Sequence, residues 1–159
     1  MAYPYKKITE EDVAYICSVT DETRVLTGKA IPPDFFRDEM PEYGIYEPEL
    51  YVEAVDKEEI SKILAYANKQ NIPVVCRGAG TGLAGGATCK FGGIMLSVMR
   101  MNRIFPVDHK NQTITVEPGV LLQDLQAAVL EEGLHWLKPC ITPSSGVQGG
   151  SYCRCGQYE

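Results

Sequence analysis

Long apolar runs are missing from this chain: none is long enough to span a bilayer, so no transmembrane segment is expected. An excess of positive charge is missing too. Lys and Arg total 15 against 21 Asp and Glu, a net charge of −6, and without clustered basic residues no nucleic-acid partner is expected. No apolar h-region follows Met1, where the chain runs Ala-Tyr-Pro-Tyr-Lys-Lys-Ile-Thr-Glu-Glu11, so it reads as lacking a signal peptide and as cytoplasmic. Histidine is scarce, with 2 residues, which narrows the choice of a general base. His109 falls in a polar turn and is expected to be solvated; His135 has no Ser or Cys partner at an informative spacing. Without secretion, the 6 cysteines read as reduced thiols. What remains, 45% hydrophobic and 23% charged residues, matches an ordinary globular domain long enough to bury a core.

Along the chain, Thr9 followed by Glu10, Glu11 and Asp12 predicts a helix start, with Val13, Ile16 and Cys17 as its apolar stripe. Pro32, Pro33, Pro41 and Pro48 predict an extended, irregular connection over 28–49, and Asp34, Asp38, Glu39 and Glu42 read there as a solvated acidic run. Leu50 to Val55 reads as a strand. Asp56 and Glu59 predict a capping box for a helix carrying Ile60, Ile63, Leu64 and Ala67 and ending at Asn71. A strand over Ile72–Cys76, a loop over 78–86 and a strand over Ile94–Val98 follow. Ile104–Val107 and Thr113–Glu117 predict an antiparallel pair about the polar turn 108–112. Pro118-Gly119 then turns into a helix with Leu121, Leu122, Leu125, Ala128 and Val129 on one side and Gly133 at its C-terminal cap. These mixed connections predict an α+β fold.

Between 78 and 87, glycine occupies five of ten positions, in Arg77-Gly-Ala-Gly-Thr-Gly-Leu-Ala-Gly-Gly-Ala87. Clustered glycines let the backbone take positive φ and turn several N–H groups toward one anion. Nothing acidic lies between 78 and 89, Thr81 adds a hydroxyl donor, and Arg77 places a positive charge at the rim. The chemistry best served is binding of a phosphate or pyrophosphate. Gly80-Thr-Gly-Leu-Ala-Gly85 spells GxGxxG literally, but a dinucleotide fingerprint of that kind must open a crossover helix. Only six residues, 86–91, separate Gly85 from Gly92 and the next strand, so the helix does not fit. A Walker A loop fails as well, because no Gly-Lys-Ser/Thr follows.

Pro73 to Ala87 resembles the pyrophosphate loop of the vanillyl-alcohol-oxidase (PCMH) type of FAD-binding domain, in its D-lactate dehydrogenase and glycolate oxidase branch. Pro48-Glu-Leu-Tyr-Val-Glu-Ala-Val55, Gly93-Ile-Met-Leu-Ser97 with Met101-Asn-Arg-Ile104, and Val116-Glu-Pro-Gly-Val120 extend the resemblance over about residues 8–133. It implies two small subdomains, a parallel strand–helix layer and the start of an antiparallel sheet, in a truncated FAD domain. It further implies that Gly78, Ala79, Gly80, Thr81 and Gly82 wrap the pyrophosphate, with Arg77, Gly85 and Gly86 in the same loop and Pro118 and Gly119 near the adenosine. Some relatives attach FAD through a loop histidine where this chain has Thr81, so binding is expected to be non-covalent. The activity implied is oxidation of a small 2-hydroxy acid, with electrons leaving to an acceptor subunit, electron-transfer protein or quinone. No catalytic residue is assigned, and this chain without a substrate domain is expected to be inactive alone. The alternative is a non-catalytic nucleotide-binding or subunit-interaction module.

The expected organisation is an arm over 1–45, a partial FAD-binding domain over 46–133 and an atypical tail over 134–159. In the tail, Gly149-Gly150 is a faint echo of the family's second glycine motif. The change is what a frameshift after about codon 133 would produce, and a downstream reading frame that resumes the motif is the expectation that tests it. His135, Cys140, Cys153 and Cys155 supply four candidate zinc ligands. Cys-x-Cys is not the usual knuckle, and no metal is expected.

Overall fold

The computed structural model describes residues 5–136 and 152–156. They fall in two compact units, Met1–Arg100 and Met101–Glu159.

The first unit opens with α1 (Glu10–Val19). Its N-cap Thr9 accepts the Asp12 N–H at 3.4 Å, and Asp12 accepts the Thr9 N–H at 2.8 Å, a complete capping box. Asp12 also accepts from Lys6 (2.7 Å) and the Tyr66 hydroxyl (2.8 Å), tying α1 to α2 (Lys57–Gln70). Burial alone would raise its pKa, yet those hydrogen bonds hold it well below the usual carboxylate range. Their counterpart on Tyr66, led by the bond to Asp12, is a phenol pushed up to about 12.

Four strands form one sheet in the order β1 (Val25–Thr27), β2 (Leu50–Glu53), β4 (Ile94–Ser97), β3 (Val74–Arg77). β1 is antiparallel to β2, whereas β2, β4 and β3 run parallel. Buried on both faces, β2 and β4 read as continuous apolar runs, as central parallel strands do. Tyr51 and Met95 share a face with Val75 and pack with Ile31 and Cys89, joined by Leu26, Phe35 and Phe36. Loop segments thus cover one face of this sheet.

Three details depart from the sequence expectation. β1 was not anticipated, and the connection over 28–49 is organised into three single 3₁₀ turns, at Gly28–Ala30, Pro33–Phe36 and Pro41–Tyr43. Asp56 caps α2 by accepting the Glu59 N–H (2.8 Å), but Glu59 does not complete the box. It turns instead to the Val55 N–H (3.1 Å) and to both Nη atoms of Arg24 (2.8 and 2.6 Å), because a bidentate guanidinium outcompetes one amide. On α2 only Ile63 and Ala67 are buried; Leu64 faces outward.

In the second unit, β5 (Thr113–Thr115) pairs antiparallel with β7 (Tyr152–Gly156), which also pairs with β6 (His135–Trp136). The expected pairing of Ile104–Val107 with Thr113–Glu117 is antiparallel, but it consists of two bridges, Ile104 to Val116 and Asp108 to Thr113. α3 (Leu122–Glu131) buries Leu122, Leu125 and Val129 against Ile114, Val116, Val120 and Leu134. Its end is a Schellman motif. With Gly133 at φ +71°, its N–H reaches the Leu130 carbonyl (3.0 Å) and the Leu134 N–H the Val129 carbonyl (3.1 Å).

Candidate functional site

β3 and β4 are parallel neighbours, so the chain must return the length of the sheet between Arg77 and Ile94. It does so through residues 78–93 with no helix, which excludes the dinucleotide-fingerprint geometry. The loop leaves the carboxyl end of β3, the end at which parallel sheets hold ligands.

Its shape is imposed from outside. Arg77 is 6% exposed, and its guanidinium donates to three carbonyls: Arg37 (2.9 Å), Ala87 (3.1 Å) and Asp34 (3.2 Å). It also lies over the Phe35 ring, 5.4 Å from the centroid. Arg77 therefore sits beneath the loop, not at its rim as the sequence suggested, because carbonyls 10 to 43 residues away converge on it. The Glu39 N–H reaches the Gly82 carbonyl (3.2 Å), and the Thr88 hydroxyl donates to the Gly85 carbonyl (2.7 Å). At the return end, Glu49 accepts the Gly93 N–H at 3.2 Å.

Two glycines are required by this packing. Gly80 has φ +75°, and a Cβ there would overlap the Arg77 guanidinium; Gly85 has φ +71°, and a Cβ would overlap the Tyr43 ring. Residues 34–43 thus form a strap against the loop. Sequence reading missed the strap, since its contacts span about forty residues and leave no local periodicity. It also placed Asp38 in a solvated run, whereas Asp38 is 7% exposed; Asp34, Glu39 and Glu42 are exposed as expected.

The loop's polar groups fit an anion. Among the described residues, no backbone N–H from Gly78 to Ala87 donates a hydrogen bond to another described group. Such a row of undonated amides, without an acidic side chain between 78 and 89 and with a buried guanidinium beneath, suits a pyrophosphate. Gly78, Ala79, Thr81 and Gly82 are partly exposed and Gly86 is exposed, which leaves them open to a ligand. Cys89, by contrast, is buried with its thiol pushed up to about 12, so it is an inert core residue.

In the second unit the Met101–Ile104 and Glu117–Gly119 motifs prove to be one device. The Glu117 carboxylate accepts from the Arg103 backbone N–H (2.8 Å), Nε (2.8 Å) and Nη2 (2.6 Å). The Glu117 N–H returns to the Arg103 carbonyl (2.9 Å) and the Gly119 N–H to the Met101 carbonyl (2.7 Å), fixing the Pro118–Gly119 turn. The Arg103 bonds, outweighing burial, hold Glu117 below the usual carboxylate pKa. His109 is exposed, and its Nε2 lies 3.1 Å from a carboxylate oxygen of Glu132. Among the described residues no cluster of His, Cys, Asp and Glu could hold a metal. Of the zinc candidates, Cys140 lies outside the described residues, and of His135, Cys153 and Cys155 only the backbone is described. No described helix is long and apolar enough to cross a membrane.

A family model described as "FAD binding domain" matches residues 48–152. D-lactate dehydrogenase of Anaerostipes hadrus is 40% identical over 132 residues, which are 83% of this chain and 28% of that protein. Glycolate oxidase subunit GlcD of Bacillus subtilis is 37% identical over 99 residues, 62% of this chain and 21% of that protein. The chain thus spans less than a third of the length of these relatives. Among solved structures, alkyldihydroxyacetonephosphate synthase superposes with a TM-score of 0.77 at 16% identity, covering 91% of this chain and 29% of that one. p-Cresol methylhydroxylase gives 0.69 at 22% identity, covering 81% and 26%. Both likenesses show the α+β fold.

Proposed function

The chain belongs to the FAD-binding domain family of FAD-linked oxidoreductases, and from that premise we propose that it grips FAD non-covalently through the 78–86 loop, as part of an enzyme that oxidises a small 2-hydroxy acid. The row of undonated amides from Gly78 to Ala87 carries this reading. Gly78, Ala79, Gly80, Thr81 and Gly82 would hold the pyrophosphate, and the Thr81 hydroxyl would add one donor. Gly85 and Gly86 would let the loop turn back, with Arg77 supplying charge from below. Pro118 and Gly119 would contact the adenosine side, held in shape by Glu117 and Arg103. A side chain able to form a covalent flavin link is absent at Thr81, which supports non-covalent binding.

FAD, when bound, supplies the redox chemistry, accepting the two electrons of an alcohol oxidation. This chain's residues contribute position and electrostatics: amide dipoles that neutralise a pyrophosphate and a buried frame that keeps them in place. The 2-hydroxy-acid class rests on the likeness to D-lactate dehydrogenase and to the glycolate oxidase subunit. An electron-transfer protein or acceptor subunit would take the electrons onward.

Titration of the purified chain with FAD, followed by quenching of flavin fluorescence, tests the reading. Saturable one-to-one binding is expected, with competition by ADP and none by riboflavin, because the loop recognises the pyrophosphate. A folded chain that ignores FAD would overturn it and favour a non-catalytic interaction module.

A further inference from the structure

Beneath the glycine loop lie two buried charges that never touch. Arg77 is 6% exposed and all its hydrogen bonds among the described residues go to neutral carbonyls. Asp38 is 7% exposed; its Oδ1 accepts the Met40 N–H (3.0 Å), while Oδ2 is the one buried side-chain polar atom among the described residues without a hydrogen-bond partner. A buried carboxylate oxygen without a donor is unfavourable, and so is a buried guanidinium facing only carbonyls. Opposite charges attract more strongly where water is excluded, so a carboxylate in the neighbourhood favours the charged guanidinium. Burial pulls the Arg77 pKa down, and of the charges around it Asp38 opposes that most strongly.

Position adds to this. Asp38 sits between Arg37, whose carbonyl binds Arg77, and Glu39, whose N–H binds the Gly82 carbonyl. Both flanking residues are thus fastened to the loop.

We propose that Asp38 is a positioning residue for the cofactor loop: its charge holds the Arg77 guanidinium and the 34–40 strap in register, and so sets FAD affinity without contacting FAD. The proposal rests on the FAD-binding reading above. Its physical content is that the carboxylate's charge matters more than its shape.

The test uses the whole chain with Asp38→Asn, Asp38→Glu, Arg77→Gln and the Asp38→Asn/Arg77→Gln double variant. FAD affinity and hydrogen exchange of the bonded strap amides Glu39, Tyr43 and Tyr46 are read together, with β2 amides as an internal reference. Asp38→Asn is expected to weaken FAD binding about tenfold or more and to speed exchange of the strap amides several-fold, with far-UV CD unchanged. Asp38→Glu, which keeps the charge, should stay within about threefold of the parent. In the Arg77→Gln background the effect of Asp38→Asn on exchange should shrink below about twofold, the signature of a coupled pair.

An Asn variant indistinguishable from the parent overturns the proposal. So does a Glu variant that behaves like Asn, an undiminished Asn effect without Arg77, or loss of the sheet's CD signal. If the unaltered chain fails to bind FAD, the function proposed above fails, whereas exchange of the strap amides still reports on Asp38.

Discussion

The glycine loop and the Glu117–Gly119 turn are both bends that the FAD-binding reading gives to the cofactor, yet different contacts shape them. The loop's frame comes from far along the chain: Arg77 reaches carbonyls of Asp34 and Arg37, and Tyr43 covers Gly85. The turn is held by a partner only 14 residues away, through the Glu117–Arg103 bonds and two backbone bonds. A binding loop must keep its own amides undonated for the ligand, so its order has to be supplied by other segments. The turn can satisfy its amides locally and still present a fixed surface.

Gly80→Val should have the largest effect and attacks the loop's half of that contrast. At φ +75° a β-branched side chain is strained, and its Cβ would overlap the Arg77 guanidinium. FAD affinity is expected to fall more than about 100-fold, or about 2.7 kcal/mol, with the sheet retained by CD. Unchanged affinity in a fluorescence titration would mean that the loop is not framed by Arg77 as described.

Glu117→Gln attacks the turn. The carboxylate is largely buried, but its Arg103 partner is 68% exposed, so the loss is discounted to about 1–2 kcal/mol. Hydrogen exchange should accelerate at Arg103, Glu117 and Gly119 while amides of β2 and β4 keep their protection. Equal acceleration in both regions would erase the distinction between local and distant support.

The same difference decides what the sequence made legible. α1, α2 and α3, the parallel strands and the Schellman end at Gly133 were readable because their signals are caps and periodicities within a few residues. The glycine loop was readable from composition, and rejection of a crossover helix followed from spacing alone. Hidden were the strap, the burial of Asp38 and the inward turn of Arg77. Nothing near Arg77 says that Asp34 and Arg37 offer it carbonyls. An aspartate among Arg37, Glu39 and Glu42 looks solvated until the fold buries it. Glu59 was half legible for a related reason: its spacing from Asp56 signals a box, but Arg24, 35 residues earlier, takes its carboxylate.

Acid should expose the smallest effect, in one carboxylate clamp from each compact unit. Glu59, held by Arg24, and Glu117, held by Arg103, have pKa values below the usual carboxylate range, the guanidinium bonds being the leading cause in each. A pKa lower in the folded than in the unfolded chain means that the unfolded state takes up protons first as pH falls. The stabilisation is therefore complete above the unfolded value, about 4.3, and is lost as pH drops through the folded value. Between pH 6 and 8 these two groups should contribute no pH dependence. Thermal melts at pH 7, 5, 4 and 3 should show stability falling only below about pH 5. Glu117→Gln should flatten the acid slope by its own share, while Glu59, Asp12 and Glu49, whose pKa values are also lowered, keep the remainder. A variant that retains the full slope would show that the Arg103 clamp is already open in solution, and the turn would then owe its shape to the backbone bonds at Glu117 and Gly119 alone.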